Sequence, residues 1–545
     1  MGGRRKPEMT KWLSPSVLAS SAAEVAISGL FGRYADKREI EGGLGDDSFD
    51  CTDAFWLDYA ADVGDGWDST YTIAHFLAQE TLSVGGVDTQ RGRVLVLGGD
   101  EVYPSASVER YEEHFRAPYS GALPAIEDEA ARPRMFAIPG NHDWYDGLTS
   151  FMRAFCQQKT IGGWQTQQKR SYFALELPHN WWLWGTDIQF DTYIDAPQLE
   201  YFRKVCRDKM PADAKVILAT AKPSWVAVDD PDDPPQSWLS LAFLQEDVLA
   251  DEQSLALTLT GDIHHYARYE PEGDGDPKIT AGGGGAYLSA THWLPPERTL
   301  PSLDGSAKRK YALATCWPSA DTSREMLGGI GKHANPLVTF SLNGVTAAIY
   351  AVAALLIAVG LQDHDPSLRP SLGAHDGWRL AWDALSFWGL LLIIVVLAGL
   401  SAWAKRGHAP WYLGTLHAVL QLAAATALTL LLLEWDPFDW AGEGLWLGYA
   451  VAVVVALASC LVGRWILVIY LLVLPRLNAH WHVEEAFAGQ AIADYKHFLR
   501  LKLEPDKLTV YAIGVEEVPG KWGDGKGPEP DGGWPTPELI DQRVI

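Results

Sequence analysis

Four short polar clusters hold the residues of this chain whose types and spacing suit metal or acid–base chemistry. They are Asp62-Val63-Gly64-Asp65-Gly66, Gly99-Asp100-Glu101-Val102-Tyr103, Gly140-Asn141-His142-Asp143 and Gly261-Asp262-Ile263-His264-His265. Carboxylate, amide, phenol and imidazole are hard-to-borderline ligands suited to Mn, Fe, Zn or Mg, and no thiol stands among them. One such cluster alone also describes an ordinary polar turn that uses glycine for its backbone geometry. Four in series point to a site.

Each cluster ends an apolar run: 56–61, 93–98, 136–138 and 255–260. In an open α/β sheet the carboxyl ends of the strands form the ligand crevice, so clusters placed there should converge. Further apolar runs at 182–187 and 216–221 continue the strand series. Helical stretches at 69–82 and 144–158 alternate with them, the first with Ser69 or Thr70 available as a cap, which predicts a layered α/β domain. The acidic, proline-rich run 229–235 reads as a surface loop. Gly282-Gly283-Gly284-Gly285 lacks the Lys-Ser/Thr of a phosphate-binding P-loop and reads instead as close-packed or flexible backbone. His292 follows it; a lone His is either structural or carried to the site by that glycine-rich approach.

These motifs resemble those of the calcineurin-like metallophosphoesterases, whose signature runs Asp-x-His, Gly-Asp, Gly-Asn-His-Asp/Glu, a lone His and Gly-His-x-His. Gly140-Asn141-His142-Asp143 and Gly99-Asp100 match it. Gly64 replaces the first block's His, and Tyr103 then supplies the phenol that purple acid phosphatases use with their Asp-x-Gly and Gly-Asp-x-x-Tyr. Ala221 stands where the lone His belongs, and Asp262 where the first His of the last block belongs. The resemblance implies a β-sandwich with flanking helices and one complete ion site, Asp62, Asp100, Tyr103 and His264. It implies a weaker second site that keeps Asp100 as bridge with Asn141 and Asp262. It also implies that His142 gives a proton to the leaving oxygen and that Asp143 orients it. His265, Lys222 and His292 complete the expected site on the substrate side, with an ordinary surface position as the alternative for Lys222.

A formal net charge of −25 argues against a nucleic-acid surface. Five cysteines, at 51, 156, 206, 316 and 460, show neither zinc-finger nor redox spacing and fit a reducing compartment. At the N-terminus, 12–31 reads as an amphipathic helix with Ala19, Ala23, Ile27 and Leu30 on one face, interrupted by Glu24 and so unlike a signal peptide. After about residue 332 the composition becomes membrane-like. Stretches 337–361, 384–404, 411–433 and 445–474 are each about the 20 apolar residues that a crossing takes, which predicts four crossings. Arg464, in the last of them, either marks a charge inside the membrane or ends a shorter span at 445–463. Tryptophans gather at the proposed ends. Basic residues before the first span, between the second and third and after the last, set against acidic loops elsewhere, place the catalytic domain and the tail in the cytoplasm.

The expected organisation is therefore 1–53 amphipathic segment, 54–332 metallophosphoesterase domain, 333–475 transmembrane region and 476–545 soluble tail. In the tail, 484–501 reads as helical, 507–514 as a strand and 519–534 as a Pro/Gly linker, and its apolar residues predict docking on the catalytic domain. The same layout resembles membrane-attached members of the family. The expected function is hydrolysis of a phosphate ester by metal-activated water beside a lipid bilayer, with one or two divalent or trivalent ions. The alternative is a non-catalytic membrane scaffold or sensor retaining one ion. A transporter is disfavoured, since the spans carry few charges beyond Arg464.

Overall fold

Side-chain alternation builds the sheets. In the strand Phe55–Ala60, Phe55, Leu57 and Tyr59 enter one apolar core while Trp56 and Ala60 enter another on the opposite face. That period of two is what a strand buried on both faces requires. The computed structural model in which this is seen describes residues 6–12, 17, 47–48, 55–188, 194–249, 253–334, 344–364, 387–435, 445–459, 461–523 and 527–545. The expected amphipathic helix at 12–31 lies almost wholly outside them.

Two compact units result, one of Met1–Thr10, Ser20–Ser323 and Ala491–Ile545, the other of Lys11–Ala19 and Arg324–Gln490. In the first unit a nine-stranded and an eight-stranded mixed sheet share the core that holds Leu57, Val96, Phe136, Leu183, Ile217 and Leu259. Burial of each large side chain there stabilises by roughly 1.5–3 kcal/mol. Helix Trp67–Ala78 shares the core on the outer face of the eight-stranded sheet, and helices Ala196–Asp208 and Gln236–Phe243 share that of the nine-stranded sheet. The order of layers is helix, sheet, sheet, helix.

Parallel pairing decides where the polar clusters fall. Phe55–Ala60, Val94–Leu97 and Arg134–Ala137 run parallel in one sheet. Trp181–Gly185, Lys215–Ala219, Ser254–Thr260 and Lys278–Ala281 run parallel in the other. Within each sheet the carboxyl ends therefore share an edge.

The tail differs from its expected form. Only Val483–Ala488 is helical, and Lys496–Leu503, Leu508–Val515 and Glu538–Val544 are strands that extend the eight-stranded sheet from Phe55–Ala60 outward. Leu499, Leu501 and Leu503 explain the switch, because their spacing of two sends all three into the inter-sheet core. Arg500, on the other face, is fully buried. It donates to the carbonyls of Phe76, Leu77, Gln79 and Thr89, closing the C-terminal end of helix Trp67–Ala78, and its Nε lies 3.4 Å from Asp58 Oδ1. The expected linker at 519–534 is also partly packed. Trp522 meets Trp67 edge-on at 5.2 Å, and Trp534 stacks on His75 at 3.4 Å.

Smaller differences follow from backbone geometry. Gly66, not Ser69 or Thr70, precedes the first helix; Ser69 and Thr70 lie buried within it, their hydroxyls on the carbonyls of Ala493 and Val63. The helix expected at 144–158 is a single turn, Asn141–Trp144, and then Thr149–Phe155, separated by left-handed residues Gly147 and Leu148.

Among the described residues of the second unit, three apolar stretches are long enough to cross a membrane: Gly389–Arg406, Trp411–Leu433 and Tyr449–Leu477, the last carried by helices Leu445–Ser459 and Val462–Leu477. The first of the four expected crossings is helical over Gly344–His364, within which Thr346–Ile357 is the described apolar part. Leu390, Ile394, Val395, Leu416, Leu431, Val453 and Ile469 point outward, as side chains facing hydrocarbon do. Polar groups turn inward: Tyr350 donates to Gln421 at 2.8 Å, and Gln421 donates to the Gly463 carbonyl at 2.9 Å. Arg464 is buried in the first turn of its helix, so it does not terminate a span in solvent.

Candidate metal centre

Three aspartates sit at the strand ends with left-handed backbones: Asp62 at φ 58°, Asp100 at φ 55° and Asp262 at φ 66°. Asp tolerates this region better than most residues, and non-glycine residues held there concentrate at functional sites. The loops lock onto one another through backbone bonds, Asp62 N–H to the Gly99 carbonyl at 2.9 Å and Tyr103 N–H to the Gly64 carbonyl at 3.0 Å. Gly64 is required by that approach, since a Cβ there would lie 1.9 Å from the Glu101 carbonyl oxygen. A His therefore has no room at this position. Gly140 is equally constrained, its Cβ position being 2.1 Å from Asp100 Oδ1.

Asp62, Tyr103 and His264 converge. Tyr103 Oη donates to Asp62 Oδ1 at 2.7 Å and stands 3.2 Å from His264 Nε2, which is 3.5 Å from the same Asp62 oxygen. Neighbouring ligands of an octahedral ion with bonds of about 2.1 Å lie about 3 Å apart, so this donor trio suits one ion. Among the described residues no three His, Cys, Asp or Glu side chains form a group that could hold a metal ion, and the third donor of this trio is a phenol.

The electrostatics point the same way. Burial, and then repulsion from Asp62, Asp143 and Asp262, raises the Asp100 carboxyl well above its ordinary range. Burial likewise raises Asp62; the Tyr103 hydroxyl opposes this and Asp262 adds to it. Burial raises the Tyr103 phenol and depresses His264, the latter also feeling Lys496 and His142. Desolvated acids crowded in this way favour a cation.

Asp100 Oδ1 accepts the His142 N–H at 2.8 Å, and Asp262 N–H donates to Asp62 Oδ2 at 2.9 Å. Asn141 is half-buried and donates to Tyr145 Oη at 3.1 Å. His142 lies 4.5 Å from the Tyr103 ring and donates from Nδ1 to the Pro104 carbonyl at 2.6 Å; burial lowers its pKa to about 4.

The expected pairing of Asp143 with His142 is replaced. Asp143 Oδ2 accepts the N–H groups of Asp100 and Gly140, both at 2.9 Å, and Oδ1 accepts from the Tyr111 hydroxyl. It fixes two loops, while the Pro104 carbonyl holds the His142 ring. The residues expected on the substrate side are His265, His292 and Lys222. His265 is buried beside the backbone of Ser289 and Ala290. His292 Nδ1 pairs with Ser323 Oγ at 2.9 Å. Lys222 is half-buried at a strand end, with Ala221 next to it against Gly99. The glycine run is close-packed: Cβ atoms on Gly283 and Gly285 would strike His497 and the Val63 carbonyl.

Glu101, Tyr111, Lys496 and His497 were not among the expected site residues. Glu101 is fully buried against Asp143, and burial followed by that neighbour's charge raises its carboxyl. It was legible inside its motif, whereas Lys496 and His497 take their places only through the pairing of their strand with Phe55–Ala60.

No family model matches the chain, nor does any curated protein. Among solved structures, GAP50, the anchor in the inner membrane complex of Plasmodium, is 10% identical over 50% of this chain and 94% of its own, with a TM-score of 0.34. The purple acid phosphatase PPD1 from yellow lupin (Lupinus luteus) seeds is 13% identical over 44% of this chain and 45% of its own, with a TM-score of 0.30.

Proposed function

We propose that the protein is a membrane-anchored, metal-dependent phosphoesterase. The observation that carries this reading is the buried trio Asp62, Tyr103 and His264, set among desolvated acids that repel one another. Those three, with Asp100, would hold one Mn, Fe, Zn or Mg ion, and Asp100, Asn141 and Asp262 would contribute to a second. An ion bound there supplies acidified water and draws charge from a phosphoryl oxygen. The chain itself does the rest. Asp143 and the left-handed turns keep the carboxylates in register, and His142, anchored through Nδ1, presents its other nitrogen as the carrier of a proton for the leaving oxygen. Burial disfavours its charged form, and the negative charge of a phosphate ester brought beside the ring would offset that.

Purified full-length protein, chelated and then reloaded with Mn²⁺, is expected to hydrolyse p-nitrophenyl or bis-p-nitrophenyl phosphate, and Tyr103→Phe to do so far more slowly. The methyl of Ala221 in place of the second ion's His favours the rival reading, a scaffold that retains one ion. Metal retention without turnover on either ester would establish that rival.

The basic and acidic alternation of the loops supports a multi-pass protein with its catalytic unit in the cytoplasm. Reporters fused after Ile545 and inserted between Asp363 and Asp376 are expected on opposite sides of the membrane. Finding both on one side would overturn this arrangement.

A further inference from the structure

We propose that Lys496 is a built-in counter-charge of the acidic cluster and competes with the metal ion for it. This rests on the metal-site reading above. The strand Lys496–Leu503 pairs antiparallel with Phe55–Ala60, Leu499 opposite Tyr59, so its first residue arrives where that strand gives way to Asp62. Backbone bonds on both sides fix it there. His497 N–H donates to the Gly283 carbonyl at 2.9 Å, Gly283 N–H returns a bond to His497 Nε2 at 3.2 Å, and Leu288 N–H donates to the Ile492 carbonyl at 3.0 Å.

Lys496 is fully buried, and among the described residues its Nζ has no hydrogen-bond partner. A buried amine in that condition is costly, and a hydrocarbon side chain would fill the same space at less cost. What offsets the cost is the surrounding charge: the acids acting on Lys496 are Asp494, Asp65 and Asp62, and the imidazoles coupled to it are His264 and His497. A cation entering beside Asp62 meets the repulsion of that ammonium. In the metal-free protein the same ammonium lowers the repulsion among the carboxylates. The C-terminal strand thus sets how readily the site fills.

Mn²⁺ binding to the detergent-solubilised full chain, followed by calorimetry without any substrate, tests this. Lys496→Met is expected to bind Mn²⁺ roughly tenfold or more tightly than the wild type, Lys496→Arg to match the wild type, and Tyr103→Phe to bind more weakly. Should Lys496→Met fail to fold, Lys496→Gln supplies the same comparison with a neutral polar side chain. Unchanged affinity in the neutral variant overturns the proposal, and weaker affinity does so by making the amine a ligand. If Tyr103→Phe also leaves affinity unchanged, the metal-site reading itself falls; if it weakens binding while the neutral variant changes nothing, only the role of Lys496 does.

Discussion

Asp100→Asn is expected to lower turnover by about 10³-fold or more, equivalent to about 4 kcal/mol of transition-state stabilisation, while leaving the fold intact. The amide keeps an oxygen for the His142 N–H, which Asp100 Oδ1 accepts at 2.8 Å, so the loop retains its bond. What is lost is the charge expected to serve two ions, and metal content should fall with the rate. Stability should move the other way in chelated protein. Because folding raises the Asp100 carboxyl above 3.8, the folded state holds its proton more tightly, and ionisation opposes folding as pH rises from 3.8 toward the raised value. Asp100→Asn removes that contribution, so thermal unfolding of the chelated variant should depend less on pH across this window. His142→Ala should behave differently, keeping its metal and losing about 10²–10⁴-fold in rate, mostly on esters with poor leaving groups. Full metal content and full rate in Asp100→Asn would rule out the bridge. Asp58 would not replace it, because its carboxylate takes the Gly92 N–H and faces Arg500, and Asp65 is occupied by the Thr10 N–H.

Arg500→Met is expected to destabilise the first unit by about 3–5 kcal/mol, since it strands Asp58 as a buried acid without its cation. Asp58 is 2% exposed, and burial has already raised its pKa to about 6 against the pull of Arg500. The substitution also uncovers the carbonyls of Phe76, Leu77, Gln79 and Thr89. Thermal unfolding of Arg500→Met, Asp58→Asn and the double variant should show strong coupling, the double losing much less than the sum of the singles. An Arg500→Met midpoint within a degree of the wild type would mean that the tail strand contributes little to the fold.

The local part of this protein was legible from its sequence. Apolar runs end in Asp, Asn, His and Tyr, and those runs are the central strands with their polar clusters at the carboxyl edge. Hydrophobicity and turn chemistry act over a few residues, so both show in a short window. That window also suffices for the long apolar helices of the second unit. Tertiary structure alone decided the rest. Gly64 is glycine because a carbonyl from another loop approaches it, and Asp143 serves backbone amides because those amides, not the His142 ring, meet its oxygens. Residues 484–501 read as helical until Leu499, Leu501 and Leu503 find an inter-sheet core to enter. Lys496 comes into register with the end of the Phe55–Ala60 strand through pairing between segments as far apart as Ser69 and Ala493, which are bonded across 424 residues. No local propensity encodes that distance; it follows from which edge of the sheet remained open for the C-terminal strands to cover.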